Sequence, residues 1–170
     1  GNVLIGRMFD SRYNLAKIGK PVNKMEWGMS PQTVNAYYNP LGNEIVFPAA
    51  ILQPPFFGME QSLAENYGSM GAIIGHEITH GFDDMGSQFD AQGNMVNWWT
   101  EADRVEFEKR ADVLVEQFNN YLVIDDLYVN GELTLGENIA DLGGLKMAYK
   151  AFQMRSEALG GQADADGMTP

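Results

Sequence analysis

Apolar residues fall at helical spacing in three long stretches of this chain and crowd into short extended runs between them. Val3, Ile5, Met8, Phe9, Tyr13, Leu15 and Ile18 recur roughly in helical steps, which predicts a helix over residues 3–18, ended by Gly19-Lys20-Pro21. Past the Ser30-Pro31 break, Thr33-Val34-Asn35-Ala36-Tyr37-Tyr38 is rich in β-formers. Asn39 to Asn43 then supplies turn residues, and Glu44-Ile45-Val46-Phe47 resumes an extended pattern. That is a hairpin; Pro48 stops it, and Gln53-Pro54-Pro55-Phe56-Phe57 reads as a rigid loop.

Ser62 and Glu65 have the spacing of a capping box, opening a helix that runs to near Gly81. An irregular stretch follows from Asp83 to Trp99, with turn signals at Met85-Gly86 and Gln92-Gly93-Asn94. Thr100 with Asp103 caps the next helix, whose apolar stripe is Phe107, Ala111, Leu114, Val115, Phe118, Tyr121 and Leu122. Asn130-Gly131 is a turn, and Thr134 starts a last helix reaching to near Met154. From Gly160 the sequence is small and polar, which predicts a disordered end. The fold class is α+β, mainly helical with a small antiparallel sheet, and no repeat or linker divides it.

Composition narrows the partners. The chain has 170 residues, enough for one domain with a core, and its formal net charge of −12 repels phosphate backbones and argues against nucleic-acid binding. There are no cysteines, so any metal must be held by imidazole and carboxylate. No segment approaches the roughly 18 uninterrupted apolar residues of a membrane span. Gly1-Asn2-Val3-Leu4-Ile5 opens without methionine or a secretory signal and reads as a cut into something larger.

The chemistry concentrates at His76-Glu77-Ile78-Thr79-His80, which holds the chain's 2 histidines. On a helix, positions i and i+4 share a face with their side-chain roots about 5–6 Å apart, so both imidazoles can reach one ion. Glu77 lies about 100° around the helix from His76 and can approach a water at that ion without being a ligand. Two histidines at this spacing could also be plain surface residues. The flank from Tyr67 to Gly75 is apolar and small, however, so the helix is expected to be buried, and buried polar groups need partners. A catalytic zinc needs a third ligand. Glu137 and Asp141 are again i and i+4, in Gly136-Glu137-Asn138-Ile139-Ala140-Asp141. Thr134 and Glu137 equally match a capping box, and the residues alone leave both readings open.

The zinc motif followed by Gly-Glu-Asn-Ile-Ala-Asp resembles the neprilysin family of zinc endopeptidases, which includes the endothelin-converting enzymes and the bacterial oligopeptidase O group. The resemblance extends through Val34 to Tyr38, Ile45 to Ala49, Ile51 to Phe57, Gly81-Phe82-Asp83-Asp84, Trp98-Trp99 and Leu142-Gly143-Gly144. It implies a thermolysin-like catalytic domain, partial over residues 1–159, with one Zn2+ held by His76, His80 and Glu137. Glu77 is then the general base, taking a proton from water and giving it to the leaving amine. Asp141 would fix the ring of His76. Asp83 would do the same for His80, unless it is an ordinary helix-end carboxylate.

The resemblance also implies oligopeptide substrates, laid along Asn35 and Ala36 as an added strand, and a pocket formed by Ile51, Phe56, Ala72 and Ile73. A plain hairpin strand and plain core residues are the alternatives. Family members are several times longer and carry a histidine and an arginine beyond this region. None of the chain's histidines follows His80, so the resemblance implies a catalytic fragment, weak or inactive without the missing N- and C-terminal parts. It implies a periplasmic, secreted or surface-anchored parent, and the lack of cysteine resembles bacterial members more than animal ones. An inactive metal-binding module and a structural helical interaction domain are the rival readings.

Overall fold

The computed structural model describes residues 1–161, so the disordered end expected from Gly160 onward lies, for residues 162–170, outside the described residues. The architecture is α+β and mainly helical, with two small antiparallel hairpins, β1–β2 and β3–β4. In order, the elements are α1 (Asn2–Leu15), β1 (Tyr37–Asn39), β2 (Glu44–Val46), α2 (Leu63–Asn66), α3 (Ala72–His80), α4 (Glu101–Asn119), β3 (Leu122–Ile124), β4 (Leu127–Tyr128) and α5 (Leu135–Ala158). Among the described residues no helix is long and apolar enough to cross a membrane.

The centre of the molecule is the crossing of α3 and α5. Ala140 and Ala148 are buried on α5, four residues either side of buried Gly144. Small residues at that spacing make a flat face. A Cβ added to Gly144 would sit 2.6 Å from the carbonyl oxygen of Ala72 and 2.6 Å from the amide nitrogen of His76. One added to Gly75 would sit 2.7 Å from the carbonyl oxygen of Gly144. Only glycine permits backbones to approach so closely. A second cluster of Ala36, Ile51 and Met70, with Phe47, Phe56 and Ile73 against it, fills the space beside α3.

The helix leading to the histidines is not a uniform α-helix. Its capping box is formed: Glu65 N–H donates to Ser62 Oγ at 3.2 Å and Ser62 N–H to Glu65 Oε2 at 2.7 Å. Between α2 and α3, however, Tyr67–Gly71 winds as a π-turn. The cause is local. Ser69 Oγ lies 2.6 Å from the carbonyl oxygens of both Phe56 and Glu65, its single proton shared between them, and the Met70 amide donates to Phe56 O.

Other differences also have reasons. The first helix stops at Leu15, short of Ile18, and none of its residues is buried among the described residues. The first strand is limited to Tyr37–Asn39 because its partner β2 offers three residues before Pro48, in register Tyr37↔Val46 to Asn39↔Glu44. Thr100 caps α4 as expected, its Oγ1 accepting from Asp103 N–H at 3.2 Å. That helix ends at Asn119, so Leu122 is not on its stripe but opens a second hairpin. There, β-branched Val123 and Ile124 favour extended backbone, and Asp125 turns the chain at φ 52°. The Asp83–Trp99 stretch is tied by side chains: Asp90 Oδ1 accepts from the amides of Gln92 and Asn94, and Trp99 Nε1 donates to Ser87 O at 2.8 Å.

The exposed surface is large for the mass. The chain exposes 12230 Å², whereas a folded monomer of 18.8 kDa exposes about 8,300 Å². The excess is greater than nine residues could add even fully extended, about 1,300 Å². Much of it is apolar, from Val3, Leu4, Ile5 and Phe9 on α1 to Leu122, Val123 and Ile124 on β3.

Replacing Gly144 by Ala will force α3 and α5 apart, lowering stability by about 1–3 kcal/mol, the usual cost of overpacking. Gly68→Ala, where an added Cβ meets nothing within 4 Å, will not. Urea denaturation of both variants checks this.

Candidate metal centre

The two helices that meet at Gly75 and Gly144 also bring the polar groups together. His76 and His80 stand on one face of α3, with Nε2 atoms 2.9 Å apart and rings crossing nearly at right angles, 87°. From α5, Glu137 brings Oε2 to 3.3 Å from Nε2 of His76 and 3.6 Å from Nε2 of His80. The capping box weighed for Glu137 is absent, since Thr134 makes no side-chain cap and its Oγ1 accepts instead from Asn138 Nδ2 at 3.0 Å.

Each imidazole is braced from its other side. Nδ1 of His76 lies 2.8 Å from Oδ1 of Asp141, and Nδ1 of His80 lies 2.6 Å from Oδ2 of Asp83. A carboxylate there can only accept, so Nδ1 carries the proton and a neutral ring turns a lone pair outward at Nε2. The supports differ. Asp83 is 5% exposed at its side chain, and its Oδ1 accepts from the amides of Met85 (2.8 Å) and Gly86 (2.6 Å). Asp141 is 79% exposed. Sequence reasoning did not find the two amides behind Asp83, although an aspartate two to three residues before Met85-Gly86 is the signal of an Asx turn.

Two lone pairs and a carboxylate oxygen thus converge on one point, an arrangement stable only with a positive charge between them. Hydrogen bonding to Asp83, opposed by burial, raises the pKa of His80 above its ordinary 6.5. A divalent cation fits. Donors sharing a tetrahedral ion at about 2.0–2.1 Å lie about 3.3 Å apart, close to the separations seen here. Imidazole and carboxylate without thiolate suit zinc. Glu77 sits beside them, buried, with Oε2 lacking a hydrogen-bond partner among the described residues. Burial pushes its carboxyl up from the usual carboxylate range, and the two imidazoles pull it back.

These groups line an open cleft of about 650 Å³ together with Asn35, Ala36 and Tyr38. Ile51, Phe56 and Ile73 lie instead in the apolar cluster under Ala36, and Ala72 contributes its carbonyl to the crossing with Gly144.

The family model described as Peptidase family M13 matches residues 35–167. The chain belongs to peptidase family M13. It is 52% identical over 144 residues to an endothelin-converting enzyme homolog of Locusta migratoria, covering 85% of this chain and 20% of that protein. To neprilysin-11 of Caenorhabditis elegans it is 55% identical over 138 residues, covering 81% and 16%. Among solved structures, Mycobacterium tuberculosis zinc metalloprotease Zmp1 in complex with an inhibitor superposes with a TM-score of 0.87 at 52% identity, covering 94% of this chain and 25% of that one. PepO from Lactobacillus rhamnosis follows at 0.75 and 43%, covering 79% and 21%. The M13 chain described here therefore spans 16–25% of these relatives' lengths. Identity to the animal relatives (52% and 55%) is no lower than to the bacterial ones (52% and 43%), so similarity lends no support to a bacterial source.

His80 gives a pH signature in the metal-free protein. Its folded pKa is raised, so the stabilisation from Asp83 is fully present below about pH 6.5 and declines as pH rises through the folded value. Asp83→Asn keeps an acceptor for the two amides but removes the charge. In chelator, the Tm advantage of wild type over Asp83→Asn will shrink on raising the pH.

Proposed function

We propose that this chain carries the metal-holding and proton-transferring part of a zinc endopeptidase site acting on oligopeptides. The observation that carries the reading is the meeting of the His76 and His80 Nε2 lone pairs with Glu137 Oε2, each ring braced by its own carboxylate. His76, His80 and Glu137 would hold one Zn2+ per chain. When bound, zinc supplies Lewis acidity that makes water more acidic and polarises a peptide carbonyl.

The remaining work falls to this chain's own side chains. Asp141 and Asp83 hold the imidazoles in the tautomer that leaves Nε2 free. Glu77, its carboxyl raised by burial, is the general base: it takes the proton from the attacking water and delivers it to the leaving amine. A raised carboxyl makes it a stronger base near neutral pH. The substrate backbone runs along Asn35 and Ala36 at the rim of the cleft, adding a strand beside β1. Ile51, Phe56 and Ile73, packed beneath Ala36, give the ground under the rim an apolar character that would favour large apolar side chains after the cut, while Ala72 stays at the helix crossing. The exposed apolar surface, including α1, is the part of this chain that packs against the remainder of a longer protein. That reading expects the chain alone to bind a hydrophobic fluorescent dye strongly; dye fluorescence no higher than that of a compact monomer would contradict it.

Metal analysis and a quenched-peptide assay on the purified chain test the central claim. Wild type will hold one zinc per chain, and His76→Ala or Glu137→Ala will lose it. Glu77→Gln will retain zinc and abolish whatever chelator-sensitive cleavage the wild type has. That cleavage will be feeble, short by about the 10²–10³-fold that one missing oxyanion donor costs. Failure of the wild type to bind zinc would favour a structural interaction domain. Zinc binding without any cleavage, even in the full-length protein, would favour an inactive metal-binding module.

A further inference from the structure

Asp84 is a carboxylate used by neither the metal set nor its hydrogen-bonded supports. Its Oδ1 is buried and finds no hydrogen-bond partner among the described residues, a costly arrangement for an acceptor unless something nearby compensates. What lies nearby is the start of α5. A Cβ added to Gly136 would stand 2.9 Å from Asp84 Oδ1 and 3.1 Å from Asp83 Oδ2, so both carboxylates press against this one glycine. Gly136 lies in the first turn of α5, immediately before Glu137.

That turn is tied from behind by the Thr134 amide and Oγ1, both donating to Asn130 O, and by Asn138 Nδ2 donating to Thr134 Oγ1, but it has no side-chain N-cap. Ser62 and Thr100 cap α2 and α4 through their side chains, whereas Thr134 does not cap α5. The Glu137 side chain is 69% exposed, so packing does not hold it either. The first-turn amides of a helix lack intrahelical acceptors and form its positive end, where a carboxylate is stabilising. Burial and the charge of Asp83 raise the Asp84 carboxyl, opposed by a backbone hydrogen bond at Asp84 and by the charges of His80 and Arg104.

We propose that Asp84 is a positioning residue for Glu137: its carboxylate, seated against Gly136 at the positive end of α5, fixes that helix's first turn so that Glu137 faces the two imidazoles. The inference rests on the metal reading of the site.

The test is zinc affinity, measured on the full chain by competition with a chromophoric chelator, in a double-mutant cycle. Asp84→Ala will weaken zinc binding about tenfold, the lower end of the cost for residues that support metal ligands. Asp84→Asn, which keeps the shape and an acceptor at the helix start, will fall between it and wild type. In a Glu137→Gln background, Asp84→Ala will change the remaining affinity by less than about twofold, because the group it positions is already lost. Wild-type affinity in Asp84→Ala would overturn the proposal, as would an equal loss in both backgrounds, which marks a general weakening of the fold. If Asp84→Ala does not fold in chelator, Asp84→Asn carries the same cycle. Failure of the wild type to bind zinc is a separate outcome, which overturns the metal reading and this proposal with it.

Discussion

The close approach of α3 and α5 at Gly75 and Gly144 is the constraint on which the rest of this structure hangs. His76 and His80 belong to one helix, Glu137 and Asp141 to another that lies far along the chain. Glu137, Asp141, Gly144 and Ala148 share a face of α5, so the side of that helix lying flat on α3 is also the side bearing the carboxylates. Any side chain larger than hydrogen at the crossing would lift the acidic end of α5 away from the imidazoles. Packing and chemistry are therefore set by the same few small residues.

Charge distribution around the histidines is uneven. His80 is steadied by an aspartate that is itself buried and held by two backbone amides, so its ring belongs to the rigid interior. His76 leans on an aspartate open to solvent, and Glu137 is also exposed. Half of the site is thus prebuilt by α3 and the turn after it. The other half depends on how firmly α5 is seated.

Much of this was legible in the sequence, because the relevant signals are local. Helical spacing placed the histidines on one face, the Ser62–Glu65 box and the Thr100 cap marked two helix starts, and Pro48 marked the end of a strand. What was not legible involves partners distant in the chain. The residues alone left Glu137 between a capping box and a metal set; the structure shows no such cap and puts its Oε2 3.3 Å from Nε2 of His76. The π-turn at Tyr67–Gly71 arises from a serine reaching the carbonyl of Phe56, which no helical periodicity encodes. The stripe on α4 ran past its true end because Tyr121 and Leu122 continue the apolar spacing into a hairpin. The helical spacing of apolar residues predicted a helix over residues 3–18, and the helix forms over Asn2–Leu15 with none of its residues buried among the described residues.

The π-turn has a geometric consequence for the histidines. One extra residue in a helix advances everything after it by about 100° around the axis. The Ser62 cap fixes the azimuth at which the helix begins, and Tyr67–Gly71 resets it before His76 is reached. Shortening that segment by a single residue would yield a more regular and better hydrogen-bonded helix, with both imidazoles swung away from the cleft. The length of this stretch therefore answers to the bearing of two side chains, at the expense of backbone regularity.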